Sequence, residues 1–367
     1  MDLAEFWMAN GRLSSLTEII EFDVTAKLKQ SADRQNQFPL SEARAREGAE
    51  ALAVATVLCM RQQFKVPDDS YKAAEALEAA SCLPADWKPA EVKALLSRPL
   101  FDSATYGQIR FHHRRIAEYL AACWFRHRMQ TGCPTHALVQ QLFQEVRGVP
   151  VPRRSLIPVI AWLCIGTERW NEEVRTRVLA GAPGIHLEHG DPEGLSLDFK
   201  RKMLATWVER NKDRKDVWDR YSAETLRRLS EPQLVPEILR HLAPGASKEG
   251  ARELLVHLIR HGRLEGCVPR LVEILRDPDE SDDVKLYTMA ALRDIGTPDS
   301  HQQAWEILRD MPEFPRLMCS VACETLYPNT IGATGLALLL EKPCKEKENK
   351  NSLGHHLKNH LEEHLNP

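Results

Sequence analysis

Phe111-His112-His113-Arg114-Arg115-Ile116-Ala117-Glu118-Tyr119-Leu120-Ala121-Ala122 is the stretch on which the reading of the fold turns. It follows a short alternating run, Gln108-Ile109-Arg110-Phe111, and opens an apolar helix that continues to about Met129. Upstream, Pro99-Leu100-Phe101 and Gln108–Phe111 flank the turn-rich joint Asp102-Ser103-Ala104-Thr105-Tyr106-Gly107, which predicts a small hairpin. Helices precede that hairpin, so a winged-helix-like module with the hairpin as its wing is expected.

Those earlier helices carry their own signals. A short one is predicted around Leu3, Phe6 and Trp7, ended by Asn10-Gly11. Ser15-Leu16-Thr17-Glu18 reads as a capping box, in which the Ser15 hydroxyl accepts from the Glu18 amide while the Glu18 carboxylate reaches back. Leu16, Ile19, Ile20, Val24 and Leu28 then recur at helical spacing. After Pro39, Ser41 caps a long helix whose Ala45, Ala49, Leu52, Thr56, Met60 and Phe64 are expected on one face, the small residues among them suggesting close packing. Helices are also predicted over Tyr71–Cys82 and from Pro89 to Leu96.

Beyond Arg114 the sequence predicts no further strand. Ser155–Ile165 and Asn171–Leu179 read as helices, and Ser196 begins another. Glu-Ile-Leu-Arg then recurs at Glu237–Arg240, Glu273–Arg276 and Glu306–Arg309, at spacings of 36 and 33 residues. Each copy is followed by a breaker and a second apolar helix, which points to HEAT-like repeats that bury their apolar faces by stacking. The expected fold class is therefore mainly α: a helical subdomain and a winged-helix-like module with a small β-hairpin, then a HEAT-like α-solenoid. The expected divisions are 1–130, linking helical pairs over 131–220, and repeats over 221–367.

Composition narrows the function classes. A formal net charge of −3 with 28% charged residues argues against a general nucleic-acid or membrane-surface protein. Nine cysteines without a C-x-x-C spacing read as reduced thiols, and the start of the chain lacks a secretion signal, so a cytoplasmic protein is expected. No phosphate loop, dinucleotide fingerprint, nucleophile elbow or zinc-ligand spacing occurs, so no enzymatic activity of the chain alone is expected and no metal site is assigned. His356, His360 and His364, with His355 beside them, stand one helical turn apart on a last amphipathic helix, where a solvated face outweighs a metal site. His186-Leu187-Glu188-His189-Gly190-Asp191 fits no metalloprotease spacing and reads as a structural turn. The basic run Arg110, His112–Arg115 and Arg126–Arg128 keeps a winged-helix DNA binder open as the lesser alternative.

The run Phe111–Ala122 resembles the F-x-H-x-x-x-x-E-[YF]-x-A-A signature that closes the winged-helix domain of NACHT-type STAND nucleotide switches. Phe6–Glu18 looks like the W-x-x-x-G-x-L-x-S-L-T-E opening of the helical subdomain in bacterial members. The resemblance covers residues 1–130 closely and extends more loosely over Gly190–Ser196 and the repeats. It implies that His113, set by its distance from Glu118-Tyr119, contacts a bound nucleotide's phosphate. The family's ATPase core is absent here, so ATP or ADP is implied only where an upstream or partner ATPase core supplies the rest of the site. The chain looks like the C-terminal, non-catalytic sensor and regulatory part of an antiviral defence protein, its repeats recognising a protein ligand. A freestanding HEAT-like scaffold is the alternative.

Overall fold

The computed structural model describes residues 15–29, 40–65, 76–104, 107–214, 221–313 and 316–342. The helix expected around Leu3–Trp7 and the histidine-bearing helix after Ser352 lie outside these residues. The described chain is mainly helical with a small antiparallel sheet. Among the described residues no helix is long and apolar enough to cross a membrane. Contacts divide it into two compact units after Phe199. The helices of 135–181 thus pack with the residues before Gln130 rather than forming a separate link.

The first unit opens with α1 (Leu16–Leu28) and α2 (Glu42–Cys59). The Ser15 capping box forms as its sequence predicts, with the Glu18 amide donating to Ser15 Oγ at 3.2 Å and the Ser15 amide donating to Glu18 Oε2 at 3.1 Å. Ser41 Oγ accepts from the Arg44 amide and caps α2. β1 (Gln63–Lys65), α3 (Ala79–Cys82) and α4 (Pro89–Leu96) follow, then β2 (Phe101–Ala104) and β3 (Gln108–Phe111). α5 (Arg114–Gln130) comes next and runs through the core, with Ile116 to Cys123, Phe125 and Met129 buried. It packs along the small-residue face of α2, where Ala45, Ala49, Leu52 and Ala53 are fully buried. Bare helix surfaces of this kind let backbones approach and make the interface dense.

Two expectations in this region are corrected. The α2 stripe does not run on to Met60 and Phe64: Met60 has φ 53° in the left-handed region and closes the helix, and Phe64 lies in β1. The described part of Tyr71–Cys82 is helical only over Ala79–Cys82, because Leu77 instead bridges Phe64. The hairpin thus becomes a three-stranded antiparallel sheet in the order β1-β3-β2. One phenylalanine from each strand seals it: Phe111 meets Phe101 at 4.7 Å and Phe64 at 6.2 Å between ring centroids.

A third correction follows α6 (Thr135–Leu142): β4 (Phe143–Val146) and β5 (Val149–Pro152) form an antiparallel hairpin where none was expected. Its two-residue loop, Arg147-Gly148, places both residues at positive φ (52° and 76°). Such loops favour Asn-Gly or Asp-Gly, and prolines usually mark a non-strand, so Pro150 and Pro152 hid this one. α7 (Ile157–Leu163) and α8 (Arg169–Gly181) complete the packing. At Gly181 a Cβ would sit 1.7 Å from the Pro150 carbonyl oxygen, so only glycine lets the end of α8 lie on β5.

The division between units falls within α9 (Leu197–Asn211). The second unit continues with α10 (Ala223–Leu229), α11 (Val235–His241), α12 (Glu249–Gly262), α13 (Val268–Arg276) and α14 (Asp282–Ile295). α15 (Pro298–Asp310), α16 (Arg316–Leu326) and α17 (Ala333–Glu341) end it. α10, α12, α14 and α16 pack in succession, as do α13, α15 and α17. The three Glu-Ile-Leu-Arg copies lie in α11, α13 and α15, and Ile238, Ile274, Leu275 and Leu308 point into the core. Ser281 caps α14, and Thr297 with Ser300 forms a capping box on α15.

Candidate functional site

The start of α5 lines a cleft of about 430 Å³ in the first unit. Its lining joins Thr56, Val57 and Met60 from the end of α2 to Arg110 through Arg114, with Ala117, Glu118 and Ser155. Arg110, His112, His113 and Arg114 are exposed, so four basic or imidazole side chains converge where the first turn of α5 carries partial positive charge.

His113 is the N-cap residue of α5, and its Nδ1 accepts from the Arg115 amide at 3.1 Å. An accepting Nδ1 carries no proton, so the neutral ring has its hydrogen on Nε2, a donor available to an anion. His112 Nδ1 instead meets Asp102 Oδ2 at 2.7 Å across the end of the sheet. Arg114 Nε donates to Glu118 Oε1 at 2.8 Å, one turn along the helix. The Glu118 side chain is the buried partner and Arg114 the exposed one, which fixes the rim of the cleft.

Tyr119, in the same run as His113, belongs to a polar network with α1 and α2. Tyr119 Oη donates to Glu21 Oε2 at 2.8 Å, while Arg46 forks onto both Glu21 oxygens at 2.8 and 2.9 Å and gives its Nε to Glu50. Burial opposes ionisation of Glu21, yet the Arg46 guanidinium and the Tyr119 hydroxyl outweigh it and hold the carboxyl below its usual range. Burial, with Glu21 and Cys123 beside it, pushes the Tyr119 phenol well up, so it stays a donor. Tyr119→Phe removes one hydrogen bond while Arg46 still holds Glu21. A loss of about 1 kcal/mol in urea unfolding is expected, and no loss would detach Tyr119 from the network.

The His186–Asp191 turn closes on the same unit. Asp191 is fully buried, and its Oδ2 accepts from the Thr17 amide at 2.8 Å and the Thr17 hydroxyl at 2.7 Å. His189 is half-buried; burial lowers its pKa, opposed by Glu188 and Glu118 and assisted by Arg114 and Arg115. His186 is wholly buried with neither ring nitrogen hydrogen-bonded. Thus Ser15–Glu18, Phe111–Ala122 and Gly190–Ser196, far apart in sequence, are parts of one packed unit. The remaining basic residues diverge: Arg126, His127 and Arg128 lie at the far end of α5, where Arg128 covers the Trp124 ring at 5.2 Å.

Sequence reading singled out His113 and the basic run, and of these Arg110 and His112 to Arg114 line the cleft; it did not single out Asp102, Glu21 or the end of α2. Their partners are 10 to 98 residues distant, beyond any local pattern. A larger hollow of about 640 Å³ lies in the second unit, with Asp277, Asp282, Glu306, Asp310 and Glu313 among its lining. Arg276 and Lys285 lie among these acids and offset them, whereas the α5 cleft gathers imidazole and guanidinium groups, so the α5 cleft is the better candidate for small-ligand chemistry. Among the described residues, one trio, Glu249, Glu253 and Asp283, brings three carboxylates within 4.8 Å of one another. No family model, curated protein or solved structure matches the chain.

Proposed function

We propose that the chain is the non-catalytic sensor and regulatory part of a NACHT-type STAND antiviral defence protein. In this reading the first unit is the helical and winged-helix-like part of a nucleotide switch, and α10–α17 are HEAT-like repeats that recognise a protein ligand. The α5 cleft receives a phosphate of ATP or ADP held by an ATPase core in the same longer protein or in a partner.

The observation that carries this reading is the hydrogen bonding of His113. Its Nδ1 is occupied as a helix cap, which leaves Nε2 as the ring's donor, and the residue lines a cleft with Arg110 and Arg114 at the positive end of a 17-residue helix. A phosphate there would meet a donor, a helix terminus and Arg110 and Arg114 together. The Thr17–Asp191 and Glu21–Tyr119 bonds tie the signature-bearing stretches to the same framework.

The test is titration of inorganic pyrophosphate into the chain at low salt, followed by imidazole nuclear magnetic resonance. One histidine ring should shift saturably, and that response should vanish in His113→Asn. Asparagine is itself a good N-cap, so the helix keeps its capping bond while the Nε2 donor disappears, and the melting temperature should change little. No saturable shift, or the same shift in the variant, overturns the nucleotide coupling and leaves the freestanding scaffold. The chain alone should show no magnesium-dependent ATP turnover above buffer.

A further inference from the structure

In the second unit, α12 and α14 lie side by side and present a face of rings and carboxylates. Glu253, His257 and His261 follow one another at one-turn spacing on α12, and Asp283 and Tyr287 do so on α14. The His257 ring centroid is 4.5 Å from that of Tyr287, 5.5 Å from that of Tyr221 and 5.9 Å from that of His261, with which it stacks. Glu249 joins Glu253 and Asp283 at the edge of the ring cluster. These are two different kinds of group in one place, and both attract the same ligand. Aromatic faces hold cations through their quadrupole, and carboxylates hold them by charge and hydrogen bonding.

We propose that this face takes an arginine side chain of a protein partner, its guanidinium laid on the Tyr221–His257–Tyr287 rings and forked onto Glu253 and Asp283. Arginine fits better than lysine because its plane stacks on rings while its edge donates in parallel to a carboxylate. The ring cluster is built to stay uncharged. Burial, with His261 and Arg260 nearby, pulls His257 down to about 4, so it offers a π face rather than a competing cation. Burial and the neighbouring Glu253 carboxylate push Tyr221 up to about 12 and raise Tyr287, which keeps both phenols protonated beside the acids. His257 Nδ1 is covered and has no hydrogen-bond partner, so packing rather than bonding holds the ring in the platform.

The inference rests on the reading of the second unit as a protein-recognising surface and names the chemistry of what it recognises. Acetyl-Gly-Arg-Gly-amide is titrated into the full chain and the tyrosine and His257 ring signals are followed. They should shift saturably in the millimolar range, and the isosteric neutral citrulline peptide should bind at least about fivefold more weakly. Glu253→Gln and, independently, Asp283→Asn should each weaken the arginine peptide by about fivefold while the helical circular dichroism of the chain is kept. Equal response to arginine and citrulline, or no ring shift, overturns the proposal. A ring shift with calcium but not with the arginine peptide overturns it in favour of a metal ion on the three carboxylates. Pyrophosphate binding at His113 is read on the other unit, so the two tests fail separately.

Discussion

Glu280→Ala should destabilise the second unit by about 3–5 kcal/mol, because it strands a buried cation. Arg252 is 6% exposed, and its Nε and Nη2 reach Glu280 Oε2 at 2.7 and 2.5 Å. Its Nη1 donates to the Leu242 carbonyl at 3.1 Å, an oxygen that also accepts from Arg270 Nε at 3.1 Å. This joins residues following α11 and α13 to α12 and α13 themselves, so one carboxylate neutralises a knot that spans adjacent helical pairs. Removing it leaves the guanidinium desolvated with only carbonyl partners. Glu280→Gln keeps an acceptor and should lose less. Arg252→Met combined with Glu280→Leu removes both charges, while Arg270 still satisfies Leu242, so much of the loss should be recovered. Urea midpoints of the four proteins decide this. A loss below about 1 kcal/mol in Glu280→Ala would mean the pair contributes no more than a surface ion pair does.

The same knot shows where sequence reading stops. Helices α1 and α2 announce themselves because a 3.6-residue apolar period and a capping serine are local facts, α7 does so by its apolar run alone, and the repeated Glu-Ile-Leu-Arg marks α11, α13 and α15 as an equally local signal. The sheet was half legible: β2 and β3 flank a turn, whereas β1 is three residues and is recognised only by what it pairs with. The β4–β5 hairpin carries two prolines and an Arg-Gly loop, so every local signal spoke against it although the register is regular. At the candidate site, His113 was located by a motif. What the motif did not contain is that its cap bond leaves Nε2 as the donor, or that Tyr119 answers Glu21 and Asp191 answers Thr17 at separations of 98 and 174 residues. Local chemistry writes elements; pairing across the chain writes sites.

His186 gives the second large effect, and its sign is set by burial. The ring is 0% exposed, sits edge-on to Phe199 at 5.7 Å, and has no hydrogen-bond partner on either nitrogen. Burial, with His189 and Arg175 nearby, pulls its pKa from 6.5 down to about 3, against the opposing pull of the His189 backbone. The folded protein therefore keeps the ring neutral while the unfolded chain takes up a proton as pH falls below 6.5. Stability is full above that value and is lost toward acid at about 1.4 kcal/mol per pH unit, or about 2 kcal/mol by pH 5. Replacing the ring by an apolar side chain removes that proton from the balance. His186→Leu should match or exceed the parent at neutral pH, since two unpaired buried nitrogens disappear, and its advantage should grow by about 2 kcal/mol on going to pH 5. His257, pulled down to about 4, adds acid sensitivity of the same sign in the second unit. The acid limb of the variant is accordingly shallower by one proton rather than flat. Parallel stability curves for the two proteins between neutral pH and pH 5 would mean that His186 finds a proton acceptor in the folded state, and that the turn it occupies opens to water before the rest of the unit unfolds.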